Sequence, residues 1–157
     1  GWSEKQALEF MQRLSEDAKR RLEYVEEPCG SAEESIKVGA LARVRVGLDE
    51  SIDEGWLTKG SSKRFLNQEM GHGVAAVILK PMILGGAVEC IRLGGEAFRI
   101  CGAKPVLSSS FETPFTLAYY AQVAEVLCAH TTSNHRNAQG IGTAGWYSPC
   151  TTDDVNC

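Results

Sequence analysis

The stretch Val74-Ala-Ala-Val-Ile-Leu-Lys-Pro81 decides how the rest of the chain reads. Six consecutive apolar residues, three of them β-branched, are the pattern of a strand buried on both faces, as in a parallel sheet covered by helices. Working outward, Leu22-Glu-Tyr-Val25, Val44-Arg-Val-Gly-Leu48 and Lys104-Pro-Val-Leu107 read as further strands, and Gly140-Ile-Gly-Thr143 as a short last one. Between them lie helix signals. Ser3 with Gln6 and Ser31 with Glu34 have the spacing of capping boxes, opening helices over 4–21 and 31–42. A third helix is expected over 61–70, a fourth from Leu84 to Gly102, and a fifth from Thr113 and Pro114 to Ala129. Residues 51–60, 131–138 and 146–157 read as loop or tail.

Strict alternation of helix and strand with short connections predicts an α/β fold with a parallel sheet. A full eight-stranded barrel takes about 250 residues at this pace, and the chain has 157. The expectation is therefore a partial (β/α) TIM-type barrel of about five parallel strands with outer helices over 1–143, followed by a tail over 144–157. The alternative, an open doubly wound sheet, lacks the Gly-rich phosphate loop after its first strand.

Composition removes several function classes. The chain is 43% hydrophobic and 23% charged with a net charge of −4, and no stretch is rich in Lys and Arg. Nucleic-acid binding driven by phosphate contacts is not expected. The longest nearly apolar run, 73–88, is broken by Lys80 and Gly85-Gly86, so no membrane span is expected. The six cysteines contain no C-x-x-C pair, which excludes the common zinc and redox motifs. Cys90, Cys101 and Cys128 sit in apolar helical contexts and read as reduced, buried thiols, while Cys150 and Cys157 could pair with each other. His72, His130 and His135 read as loop histidines rather than metal ligands. The chain starts at Gly1 with neither an initiator Met nor a signal-peptide pattern, so processing, a tag scar or truncation is expected.

The unusual polar residues fall at strand ends. Glu26 and Glu27 follow the first strand, Asp49-Glu50-Ser51 the second, Lys80 the third and Ser108-Ser109-Ser110 the fourth. In a parallel barrel these ends gather on the face that carries active sites. Taken singly, each has a plain structural account: Glu-Glu-Pro as a solvated loop, Asp49 as a helix cap, Lys80 as a snorkelling amine and the serines as a polar turn. Their order on successive strand ends argues for a site. Two carboxylates from neighbouring strands suit a hard divalent cation such as Mg²⁺. The lysine one strand further on would act on a substrate held there, and the hydroxyls would hold a substrate carboxylate.

The same residues resemble the barrel domain of the enolase superfamily, in its o-succinylbenzoate synthase branch, over about residues 1–143. The resemblance is carried by Leu22-Glu-Tyr-Val-Glu-Glu-Pro-Cys29, Gly47-Leu-Asp-Glu-Ser51, Val77-Ile-Leu-Lys-Pro81 with Gly85-Gly86, and Ala103-Lys-Pro-Val-Leu-Ser-Ser-Ser-Phe-Glu112. The first two motifs are shared with dipeptide epimerases and muconate cycloisomerases, and the last two point to the dehydratase. The resemblance implies a (β/α)₇β barrel beside a capping domain, and a Mg²⁺-dependent syn dehydration of a 2-succinyl-6-hydroxy-cyclohexadiene carboxylate in menaquinone or phylloquinone biosynthesis. It implies Glu26 and Asp49 as metal ligands, with Glu27 the outer neighbour of Glu26, and Lys80 as the catalytic lysine. Ser108, Ser109, Ser110 and Gly140 then meet the substrate. The first metal-binding Asp, the general-base lysine and the capping domain have no counterpart in the chain.

That half-barrel reading carries further expectations. The Leu22–Val25 edge would need the missing barrel half, or a partner chain, to cover it. Val74 to Leu79 would face water or that partner. A non-catalytic half-barrel serving as a structural or assembly subunit is the competing reading. Localisation would be plastid in a photosynthetic eukaryote and cytoplasmic in a bacterium.

Overall fold

The computed structural model describes residues 1–58, 73–131 and 138–143, without the side chains of 130 and 131. The chain runs α1 (Glu4–Arg13), α2 (Glu16–Arg21), β1 (Val25–Glu26), α3 (Ala32–Ala42), β2 (Val46–Leu48), α4 (Glu50–Asp53), a 3₁₀ turn (Trp56–Thr58), β3 (Val74–Leu79), α5 (Pro81–Leu84), α6 (Ala87–Cys101), β4 (Lys104–Leu107) and α7 (Pro114–Thr131). The strands form one parallel sheet in the order β1-β2-β3-β4. Sheet order therefore follows chain order, as it does around a barrel wall, whereas a doubly wound sheet reverses at a switch point. The fold is α/β, a four-stranded parallel sheet with surrounding helices, as in part of a TIM-type barrel.

Local details correct several expected boundaries. The helix expected over 4–21 breaks in two, because Ser15 adopts extended backbone and accepts the Ala18 amide as a second N-cap. The capping box at Ser3 and Gln6 is present, and Ser31 accepts the Glu34 amide. The strand expected at Leu22–Val25 starts later, since Leu22 closes α2. The helix expected from Leu84 is two helices separated at Gly85 and Gly86, both at positive φ. The fifth strand reduces to one parallel bridge between Ser108 and Gly140. The expected 61–70 helix, His72, His135, the 144–157 tail, Cys150 and Cys157 lie outside the described residues, as does the side chain of His130.

The main core lies between one face of the sheet and α3, α4, α6 and α7, with Val46, Leu48, Val77, Leu79 and Leu107 meeting Ile36, Ile52, Leu93 and Leu127. Gly94 allows the close approach of α6: a Cβ there would stand 2.8 Å from both Leu127 Cδ2 and Pro105 Cβ. The opposite face is smaller. Ala76, Ile78 and Val106 form it with Tyr24 packed over them.

That packing overturns one expectation. All six residues of β3 are buried, none more than 3% exposed, rather than facing water or a partner. The Tyr24 ring provides much of the cover, and it reaches the sheet because Gly47 has no side chain: a Cβ there would lie 2.7 Å from the ring and 3.1 Å from Ile78. Beside β1, the Trp2 amide donates to the Pro28 carbonyl at 2.8 Å, and Trp2 bridges to Cys29 in parallel. The chain's own first residues thus flank the end of that edge. Cys90 is fully buried, and burial pushes its thiol up to about 12; Cys101 and Cys128 are half-buried.

Candidate active site at the strand ends

Parallel pairing brings the C-terminal ends of the strands to one rim. Glu26 ends β1, Asp49 follows β2, Lys80 follows β3 and Ser108 follows β4. Asp49 is 5% exposed. Lys80 Nζ lies 2.5 Å from Asp49 Oδ1 and donates to Asp53 Oδ2 at 3.2 Å. The Asp49 and Lys80 charges both act on the Glu26 carboxyl. Three of the expected residues, from three successive strands, thus meet at one point.

The electrostatics follow from that crowding. Burial is the largest influence on Asp49 and raises its pKa; the Lys80 ammonium opposes it, Glu50 and Asp53 add to the rise, and the net direction is up. Burial also raises Glu26, with the Asp49 and Glu50 charges reinforcing it against Lys80. Glu26 as a residue is exposed, so its shift comes from neighbours crowding its carboxyl rather than from full enclosure. Burial would lower the Lys80 amine, but Asp49 and Asp53 outweigh it and the net direction is up. The lysine is therefore held as an ammonium within a carboxylate cluster.

Glu27 has a different task from its neighbour. Its carboxylate accepts the Asp49 amide at 2.8 Å, the Ser51 amide at 3.2 Å and the Ser51 hydroxyl. These bonds tie the end of β1 to the start of α4 and hold the backbone of Asp49. Glu27 takes a φ of 26° to do so. Sequence reasoning placed it beside a metal ligand and missed this clamp. It missed Asp53 as well, although Asp49 and Asp53 are four residues apart across one helical turn, the spacing that shares a helix face.

The serines divide. Ser108 lines a cavity of about 210 Å³ with Tyr24, Glu26, Ile78, Gln139 and Gly140. The Ser109 hydroxyl reaches the Gly140 carbonyl at 3.2 Å and Thr143 Oγ1 at 2.9 Å. The Ser110 amide donates to Glu112 at 2.6 Å. Ser108 and Gly140 therefore border the same space as Glu26, while Ser109 and Ser110 hold the loop around it. Glu26 also borders a second, more acidic cavity of about 430 Å³ with Glu27, Glu50 and Glu54.

For a divalent cation, the donor chemistry fits in part. Glu26 and Asp49 offer hard carboxylate oxygens, and Asp49 Oδ1 is buried and accepts no well-formed hydrogen bond despite its closeness to Lys80. Among the described residues no set of three His, Cys, Asp or Glu is arranged to hold a metal ion. Among them, too, no helix is long and apolar enough to cross a membrane.

No family model matches the chain. Curated relatives do. It is 33% identical over 125 residues to the o-succinylbenzoate synthase of Aliivibrio salmonicida, 31% over 131 residues to that of Photorhabdus laumondii and 28% over 124 residues to that of Haemophilus influenzae. These matches cover 79–83% of this chain but 35–37% of the relatives, so it spans about a third of their length. With strand-end carboxylates and lysine in place on a parallel sheet, the chain is by sequence a relative of the o-succinylbenzoate synthases, matched over part of their length.

Proposed function

We propose that the chain is the portion of an o-succinylbenzoate synthase that carries two metal-ligating carboxylates and one catalytic lysine. The reaction is the syn dehydration of a 2-succinyl-6-hydroxy-cyclohexadiene carboxylate on the way to menaquinone or phylloquinone. The observation that carries this reading is the meeting of Glu26, Asp49 and Lys80 from three consecutive strand ends. Similarity to proteins named for that activity supports it.

Glu26 and Asp49 would hold Mg²⁺, which when bound supplies Lewis-acid stabilisation of charge on the substrate carboxylate. Loss of the proton beside that carboxylate leaves negative charge on its oxygens. Lys80, kept protonated by Asp49 and Asp53, places a fixed ammonium where that charge gathers. Glu27 holds Asp49 through backbone amides and so sets the geometry of the pair. Ser108 and Gly140, which line the same cavity as Glu26, would meet the succinyl arm. The proton-abstracting base and a third ligand would come from strands outside this chain, as would a cover for the rim. By the same reading the compartment is the plastid or the bacterial cytoplasm.

The test is a chimera in which this chain replaces the matching third of the Aliivibrio salmonicida protein. A folded chimera should form o-succinylbenzoate from the cyclohexadiene substrate with Mg²⁺ and lose that activity in EDTA. A chimera that melts cooperatively yet makes no product at any Mg²⁺ concentration contradicts the reading, and leaves the structural half-barrel as the better account.

A further inference from the structure

Lys80 touches two carboxylates at once. Its Nζ is 2.5 Å from Asp49 Oδ1 and 3.2 Å from Asp53 Oδ2, with all three side chains at most 16% exposed. Each partner has one buried oxygen, Oδ1, that accepts no well-formed hydrogen bond. A divalent cation on Asp49 would stand within a few ångströms of the ammonium, and like charges that close repel strongly where water is scarce. With the ammonium on Asp49 Oδ1, a divalent cation on the same carboxylate would push against it. Asp53, one helical turn along α4, offers the lysine a second seat, and its spare oxygen can take an N–H released from Asp49.

We infer that Asp53 is a positioning residue that retains Lys80 in the cleft when a divalent cation takes Asp49. The lysine shifts its contacts from Asp49 to Asp53 instead of swinging out into solvent. No covalent bond changes. This rests on the metal reading of Glu26 and Asp49 given above, and assigns to Asp53 a role that the two ligands do not require. Asp53 does not touch the reacting atoms.

The test is acetylation of individual lysines by acetic anhydride at fixed pH, read by peptide mass spectrometry on the 157-residue chain, with and without Mg²⁺. Exposed Lys5 is the internal reference. In the parent, Lys80 should react at least tenfold more slowly than Lys5, and saturating Mg²⁺ should change its rate by less than about twofold. In Asp53→Asn, Mg²⁺ should accelerate Lys80 about tenfold while Lys5 stays constant, and Asp53→Glu should restore protection. Where Asp53→Asn fails to melt cooperatively, Asp53→Ser takes its place. The inference is overturned if Lys80 of the parent becomes as reactive as Lys5 in Mg²⁺, or if Asp53→Asn shows no Mg²⁺ effect. Calorimetric titration of Mg²⁺ into the parent and Asp49→Asn separates the two failures. Mg²⁺ binding that Asp49→Asn abolishes, with Lys80 of Asp53→Asn unresponsive to Mg²⁺ or Lys80 of the parent as reactive as Lys5 in Mg²⁺, sinks this inference alone; no saturable binding, or binding indifferent to Asp49→Asn, sinks the metal reading with it.

Discussion

At the scale of single residues, the cluster is arranged at a cost to the fold. Glu26 has a raised pKa because crowding by neighbours and the Asp49 and Glu50 charges disfavour its ionised form. The sign then runs opposite to a salt-bridged carboxylate: the folded state holds the proton more tightly, so stability falls as pH rises through the raised value. Glu26→Gln should therefore melt higher than the parent at pH 8. The gap should close as pH drops below about 4.3, the usual glutamate range, where both forms are neutral. A gap that widens on acidification would show that Glu26 is stabilised as an anion. Lys80 bears the opposite burden. Lys80→Met leaves Asp49 and Asp53 without their cation in a site scarcely open to water, and removal of one partner from a buried pair costs about 3–5 kcal/mol. Urea unfolding at pH 7 should show a loss of that order, and a loss near zero would place the lysine in solvent.

At the scale of elements, what holds the site together is the joint between β1 and α4. Glu27 alone satisfies two backbone amides and a hydroxyl of the following segment. Glu27→Ala should cost about 2 kcal/mol, the upper range for losing a cap, and should speed hydrogen exchange at the Asp49 and Ser51 amides ahead of the rest of α4. Gly47 makes a separate contribution by letting Tyr24 lie on the sheet. Gly47→Ala should cost about 1–3 kcal/mol by overpacking, checked by thermal melting. Much of this level was legible beforehand. The apolar run of β3 announced a buried strand, and the two serine caps located α1 and α3, because both signals are local in sequence. The break at Ser15 is not visible in the same way, because Ala7, Met11, Leu14 and Ala18 recur at helical spacing across it. The Tyr24 cover and the Asp53 contact were hidden for another reason. Each joins residues more than twenty positions apart, which periodicity does not register.

At the scale of the whole molecule, the strand ends were readable because parallel order converts a list of terminal residues into a common rim. The extent of burial was not, since the Tyr24 ring packs over Ala76, Ile78 and Val106 on one face of the sheet, a contact no strand pattern registers. Large apolar residues still stand exposed, Met82 at 68%, Val88 at 82%, Phe111 at 65% and Phe115 at 87%. Exposed apolar side chains favour association where they adjoin, and the 157-residue chain is expected to self-associate in sedimentation experiments. On the proposed reading the proton-abstracting base and a third ligand come from outside this chain, so it should also show no dehydratase activity alone. The central claim is that Glu26, Asp49 and Lys80 form one centre in which the lysine acts on charge developed during reaction. The most direct measurement is the steady-state kinetics of Lys80→Ala in the active chimera. The expected result is a kcat at least 100-fold lower with KM changed less than about threefold, because the interaction is made chiefly in the transition state; near-normal kcat in the folded variant would show that Lys80 does no such work.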